Sequence, residues 1–201
     1  MLVATHGMNW ESRGLEATSE FQAMKDAKVL LFCQLPLLEI DGLRLVQSQS
    51  TIRYLSRQGG LQGTNDAEIA LVDMVCETIK DCRGPIAAYP FKSSKEEAKD
   101  DACAIINKFF PHFESMIQSL SGLFTTRVST ADLLLAELIE EFLHIVDASM
   151  FDHYIKCKRI HAAITGQENF KTYLSSTKRY PFPKGQDGKA YKQNVDLVLG
   201  R

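Results

Sequence analysis

The run Ser129-Thr130-Ala131-Asp132 and the apolar stretch behind it constrain this chain most. A hydroxyl followed three residues later by an acid is a capping signal, because each side chain can satisfy a backbone donor left open by the first helical turn. Val128 and Leu133 flank it as a hydrophobic staple does. The helix predicted from there to about Val146 carries Leu133, Leu134, Leu135, Leu138, Ile139, Phe142 and Ile145, which cover most of its faces. A helix apolar all round has no side for water, so it belongs in the centre of a bundle.

More helices can be read around it. Ile69, Ala70, Val72, Val75 and Cys76 follow Asp66 on a helical period that only Asp73 interrupts. This predicts a long helix, capped by Asp66 and ending near Gly84-Pro85. A second starts at Ser94, with Ala98, Ala102, Ile105, Ile106, Phe109 and Phe113 on one stripe. Pro111 should kink it, since proline removes a ladder donor and crowds the preceding turn. Shorter helices are predicted near His153 to Ile164, Phe170 to Ser175 and Ala190 to Leu199.

The front of the chain is different. Residues up to about Ser56 are strand-rich, and Gly59-Gly60-Leu61-Gln62-Gly63-Thr64-Asn65 is a breaker-rich linker. The predicted architecture is therefore α+β with two domains, over residues 1–58 and 66–201, the second all-helical. Leu37 to Ile40 and Leu43 to Val46 are short strands joined by Asp41-Gly42, a hairpin-turn pair. Pro36 heads the first strand, where a missing N–H is tolerated. Ser48 is the expected N-cap of a helix over Gln49 to Gln58, and such a helix start suits an anion.

The chain has 201 residues, 45% of them apolar and 24% charged, which is an ordinary globular balance. A net charge of −2 gives no reason to expect nucleic acid, and no apolar run is long enough for a bilayer span, so no membrane partner is expected. The five cysteines are odd in number and scattered, which favours free thiols and a cytoplasmic location. No histidine pair has metal-ligand spacing, so no metal is expected.

Phe32, Gln34-Leu35-Pro36, Glu39-Ile40-Asp41-Gly42 and Gln47-Ser48 together resemble the cytosolic glutathione transferases, in their alpha-like or sigma-like classes. The resemblance implies a thioredoxin-like front domain, glutathione as co-substrate, a hydrophobic electrophile as second substrate, and a homodimer. It implies a cis Leu35–Pro36 bond beside which backbone groups pair with the cysteinyl part of glutathione. Gln34 belongs to the same motif, while Gln47 and Ser48 would hold the γ-glutamyl end. Lys25 would meet the glycyl carboxylate. Asp81 would reach glutathione in the partner subunit, and Phe32 would insert between two helices of that partner. The segment from Tyr180 to Arg201 resembles the alpha-like tail helix over the electrophile pocket. Tyr191, Val195 and Val198 would face inward, opposite Ala87, Ala88 and Phe91.

The residues also allow plainer readings. Ser48 can simply cap its helix, Lys25 and Asp81 can be solvated, Phe32 can pack within its own domain, and Pro36 can be trans. Cys33 is read as inert, because the nucleophilic cysteine of omega-like relatives sits near the first helix.

The sequence departs from the family at its front. Met1 to Gly7 resembles the second half of the family's first helix and Trp10 to Leu15 its second strand, so the first strand and its tyrosine or serine hydroxyl are expected to be missing. No tyrosine precedes Tyr54, and Ser12 lies on the wrong element. Thr125-Thr126-Arg127 stands where the family has Gly-Asn or Gly-Asp. The expected function is a glutathione transferase that conjugates the thiolate to hydrophobic electrophiles, with no catalytic residue assigned. The alternative is a non-catalytic glutathione-binding or structural protein of the same fold.

Overall fold

The computed structural model describes residues 9–118 and 120–200; the helix read over Met1 to Gly7 lies outside them. The front half holds helix α1 (Thr18–Asp26), strands β1 (Leu38–Ile40) and β2 (Leu43–Leu45), and helix α2 (Ser48–Gln58). β1 and β2 pair antiparallel with Ile40 opposite Leu43, so Asp41-Gly42 is the whole loop. Both loop residues have positive φ, 50° and 75°, the backbone that a two-residue hairpin of matching twist needs.

Trp10 to Leu15 does not form the expected strand. Two of its carbonyls are taken by side chains from the far end of the chain instead of by a ladder. Lys178 Nζ donates to the Trp10 carbonyl at 3.1 Å, and Asn194 Nδ2 donates to that of Leu15 at 2.9 Å. The Trp10 ring lies 6.3 Å from that of Tyr173, with Lys178 Nζ over its face.

The rest is helical: α3 (Asp66–Cys82), α4 (Gly84–Ala88), α5 (Lys95–Met116), α6 (Thr130–Phe142), α7 (Ile155–Thr165), α8 (Glu168–Leu174) and α9 (Gly185–Leu199). α6 is the capped apolar helix, and it is buried on nearly every side against α3 and α7. It ends at Phe142, short of the expected Val146, because His144 and Ile145 donate to carbonyls three residues back and tighten the last turn. α5 continues through Pro111. The cap of α3 is Asn65, whose Oδ1 accepts the Glu68 N–H at 3.0 Å, rather than Asp66. Phe110 sits at the centre of the core, its ring 5.1 Å from Phe151 and 5.6 Å from Phe113.

Helix α2 is tied to the helical half by polar contacts. Arg53 reaches Asp73 at 2.6 Å and Glu77 at 2.5 Å on α3, which explains the acid in the apolar stripe. The buried hydroxyls of Ser56 and Thr130 meet at 2.6 Å, and the Thr130 N–H donates to the Leu61 carbonyl. Nearby, Glu68 accepts from the hydroxyls and N–H groups of both Thr64 and Thr126. Those four bonds, led by the Thr64 hydroxyl, hold its carboxyl down at about 2.

Candidate functional site

The hairpin delivers the chain to α2. After β2, Val46 is buried and Gln47 turns with φ of 70°, so the chain passes directly from strand to helix. The N-cap position is therefore Gln47, and Ser48 is the first residue of α2 instead of its cap. The first intrahelical bond runs from the Thr51 N–H to the Gln47 carbonyl at 3.1 Å. The N–H groups of Ser48, Gln49 and Ser50 precede that bond, at the positive end of the helix dipole.

Gln34 approaches from the other side of the hairpin. Its side-chain carbonyl accepts a hydrogen bond from Gln47 Nε2 at 2.5 Å. The next peptide, Leu35–Pro36, is cis, and both of its residues are exposed. Gln34, Leu35, Pro36, Gln47 and Ser48 thus converge on one open patch made of amides, a helix start and an irregular backbone edge. Such a patch offers donors for a carboxylate and both backbone groups for an extended peptide.

The other expected contributors lie on α1, on α3 and in the turn before Gln34. Lys25, in the last turn of α1, has its Nζ 4.6 Å from the centre of its own helix's Phe21 ring. Asp81 is exposed in the last turn of α3. Phe32 is 76% exposed, with φ of 61°, so it does not pack within its own half of the molecule. Cys33 beside it is exposed too.

The tail helix packs against the Tyr89–Phe91 turn. The rings of Phe91 and Tyr191 lie edge to face at 6.2 Å. Val198 is buried, Val195 and Ala88 are half-buried, and Ala87 is exposed. Phe182 packs on the same turn and was not among the expected residues. It lies 5.2 Å from Tyr89 and stacks on His144 at 4.6 Å. It sits between two prolines in a stretch with no period, so no pattern could have flagged it.

The hydroxyls of Tyr54 and Ser12 are engaged by other side chains. Tyr54 donates to Asp41 Oδ2 at 2.7 Å, and that bond raises its pKa above the usual phenol value. Ser12 donates to the Tyr180 hydroxyl at 3.4 Å. Behind α2, a cavity of about 350 Å³ is lined by Ile52, Arg53, Val72, Asp73 and Cys76. Burial pushes the Cys76 thiol up to about 12, which keeps it inert. Among the described residues no group of His, Cys, Asp and Glu could hold a metal ion, and no helix is long and apolar enough to cross a membrane.

Comparison with known proteins gives a consistent result. Residues 80–177 match the family model "Glutathione S-transferase, C-terminal domain". The chain is 30% identical over 195 residues to glutathione S-transferase A of Cavia porcellus, covering 90% of this chain and 86% of that protein. It is 29% identical over 180 residues to human glutathione S-transferase A2, covering 86% and 80%. Among solved structures it superposes on the monomeric Na-GST-3 of the hookworm Necator americanus with a TM-score of 0.77, at 26% identity, covering 90% of this chain and 91% of that one. The glutathione S-transferase of Ascaris lumbricoides superposes with a TM-score of 0.73 at 26% identity, covering 87% of each chain.

Proposed function

The chain belongs to the glutathione S-transferase family, and we propose that its glutathione lies across the Gln34–Gln47 amide pair and the start of α2. The observation that carries this is the convergence of Gln34, the cis Leu35–Pro36 edge and Gln47-Ser48 on one exposed patch. In this reading the γ-glutamyl carboxylate takes the Ser48 hydroxyl and the free N–H groups of the first turn. The Gln47 amide steadies the same end, and the backbone at Leu35 pairs with the cysteinyl unit. Lys25 takes the glycyl carboxylate. The thiolate then attacks a hydrophobic electrophile held between Phe91 and the tail residues Tyr191, Val195 and Val198, with Ala87 and Ala88 at the rim.

The protein is read as a cytoplasmic detoxification enzyme with domains over residues 1–58 and 66–201. It is read as a homodimer in which exposed Phe32 docks into the partner and Asp81 reaches the partner's glutathione. The occupied hydroxyl of Tyr54 leaves thiol activation without an assigned residue, so turnover is expected to be slow.

The test is retention on immobilised glutathione together with conjugation of a chlorinated dinitrobenzene. Gln47→Ala and Gln34→Ala should raise the KM for glutathione about tenfold, which is roughly 1.4 kcal/mol and in line with losing hydrogen bonds to a charged group. Melting should be unchanged, because both side chains are exposed. Unaltered glutathione affinity in both variants would remove the assignment. Binding without any turnover would favour the non-catalytic reading.

A further inference from the structure

A second cleft lies on the far side of the Tyr89–Phe91 turn, between the starts of α5 and α9. Its volume is about 660 Å³ and its polar rim includes Lys92, Lys95, Lys184, Lys189, Ser94 and Gln186. No carboxylate lines it. Lys92 is already neutralised by Glu97 at 2.5 Å and Asp101 at 2.8 Å. Lys95, Lys184 and Lys189 have no ion pair among the described residues, although Glu96 and Asp187 stand in the same first turns, so the cleft offers a ligand three unpaired ammonium groups.

The walls are held in place. Gly188 is buried, and a Cβ there would come 2.6 Å from the Pro183 carbonyl oxygen, so only glycine lets the start of α9 close onto that proline. The first bond of α9 is Gly188 N–H to the Lys184 carbonyl, at 3.1 Å. The donors of Gly185 and Gln186 precede it at the rim. Tyr89, Pro90 and Pro183 supply an apolar side.

We propose that this cleft binds a compact, multiply charged anion of the polyphosphate class, on Lys95, Lys184 and Lys189. One lysine at a solvated surface attracts little. Three without a direct ion pair around a concave wall focus their field, and such sites select for ligand charge. The site is independent of the glutathione patch, which shares none of its residues. An occupant would clamp α9 to α5, and α9 carries Tyr191 and Val198 of the tail wall.

The experiment is calorimetric titration of the full chain with inorganic tripolyphosphate, at low and at physiological salt. The expected result is saturable one-site binding, weakened at least tenfold in the Lys95→Gln/Lys184→Gln/Lys189→Gln variant. Lys171→Gln, a surface lysine outside the cleft, should bind as the wild type does. Titration with glutathione in the triple variant should be unaltered, which separates this site from the first. Absence of saturable binding in the wild type would overturn the proposal, as would full binding in the triple variant or an equal loss in Lys171→Gln.

Discussion

Asp132 is the residue whose loss should cost the fold most among the polar groups. Its Oδ2 accepts the Ser129 N–H at 2.8 Å and the Ser129 hydroxyl at 2.7 Å, while Oδ1 accepts the Phe124 N–H at 3.1 Å. Ser129, Phe124 and Asp132 are all at most 1% exposed, so water cannot replace a lost acceptor. Asp132→Ala strands two buried backbone donors, each costing about 1–3 kcal/mol, and removes a cap worth about 1 kcal/mol. Part is returned, because burial holds the carboxyl above its ordinary range and an unfavourably desolvated charge disappears with it.

The net expectation is about 3 kcal/mol, a large share of the roughly 5–15 kcal/mol that holds a typical domain together. For a chain of this size that lowers Tm by about 6–12 °C. Urea titration and thermal melting of Asp132→Ala, Asp132→Asn and Ser129→Ala would measure it. Asn keeps one acceptor but turns an NH₂ toward a donor, so it should fall between wild type and Ala. A loss below about 1 kcal/mol in Asp132→Ala would refute this account of the box, and so would Asn as damaging as Ala.

Two other predictions concern charge and assembly. Burial, opposed by Arg83, raises the Glu141 carboxyl to about 7, and its Oε2 is buried without a hydrogen-bond partner among the described residues. A raised folded pKa gives stability that is complete below the unfolded value near 4.5 and is lost as pH rises through 7. Stability should therefore decline by about 1–2 kcal/mol between pH 5 and 8, after discounting for the ion pair with Arg83. Glu141→Gln should flatten that slope in melting curves taken across the range; an unchanged slope would assign it to other groups, and His144, whose pKa burial lowers, would act in the opposite direction. For assembly, Phe32→Glu should give a monomer in sedimentation while leaving the melting temperature of the monomer unchanged, whereas a wild type that already sediments as a monomer would exclude the docking role.

Legibility in the sequence followed burial. α6 was readable because ten of its residues are buried and its capping box uses side chains with one clear purpose. The hairpin was readable because Asp41-Gly42 must take positive φ and few residue pairs do so cheaply. α1 was invisible because it buries no residue, so it leaves no apolar stripe to detect. The assignment of Trp10 to Leu15 as a strand failed for a non-local reason: Lys178 and Asn194, far along the chain, take two of its carbonyls. Gln34 and Gln47 were named from motif and resemblance, but their direct amide contact was not foreseeable, since it depends on the positive φ at Gln47.

The capping box and the proposed glutathione patch are coupled through α2. Gln47 and Ser48 open that helix, and its far end is fixed by Ser56, whose hydroxyl meets that of Thr130 in the box itself. Between them Arg53 grips Asp73 and Glu77. A short helix on a two-stranded sheet has little stability of its own. Its orientation is therefore set by the helical half of the molecule, from the N-terminus of its central helix. The apolar helix that most constrains the fold thus also positions the helix start proposed to hold the γ-glutamyl group. Loosening the box should then raise the KM for glutathione before the protein unfolds, although Asp132 and Gln47 stand at opposite ends of this chain of contacts.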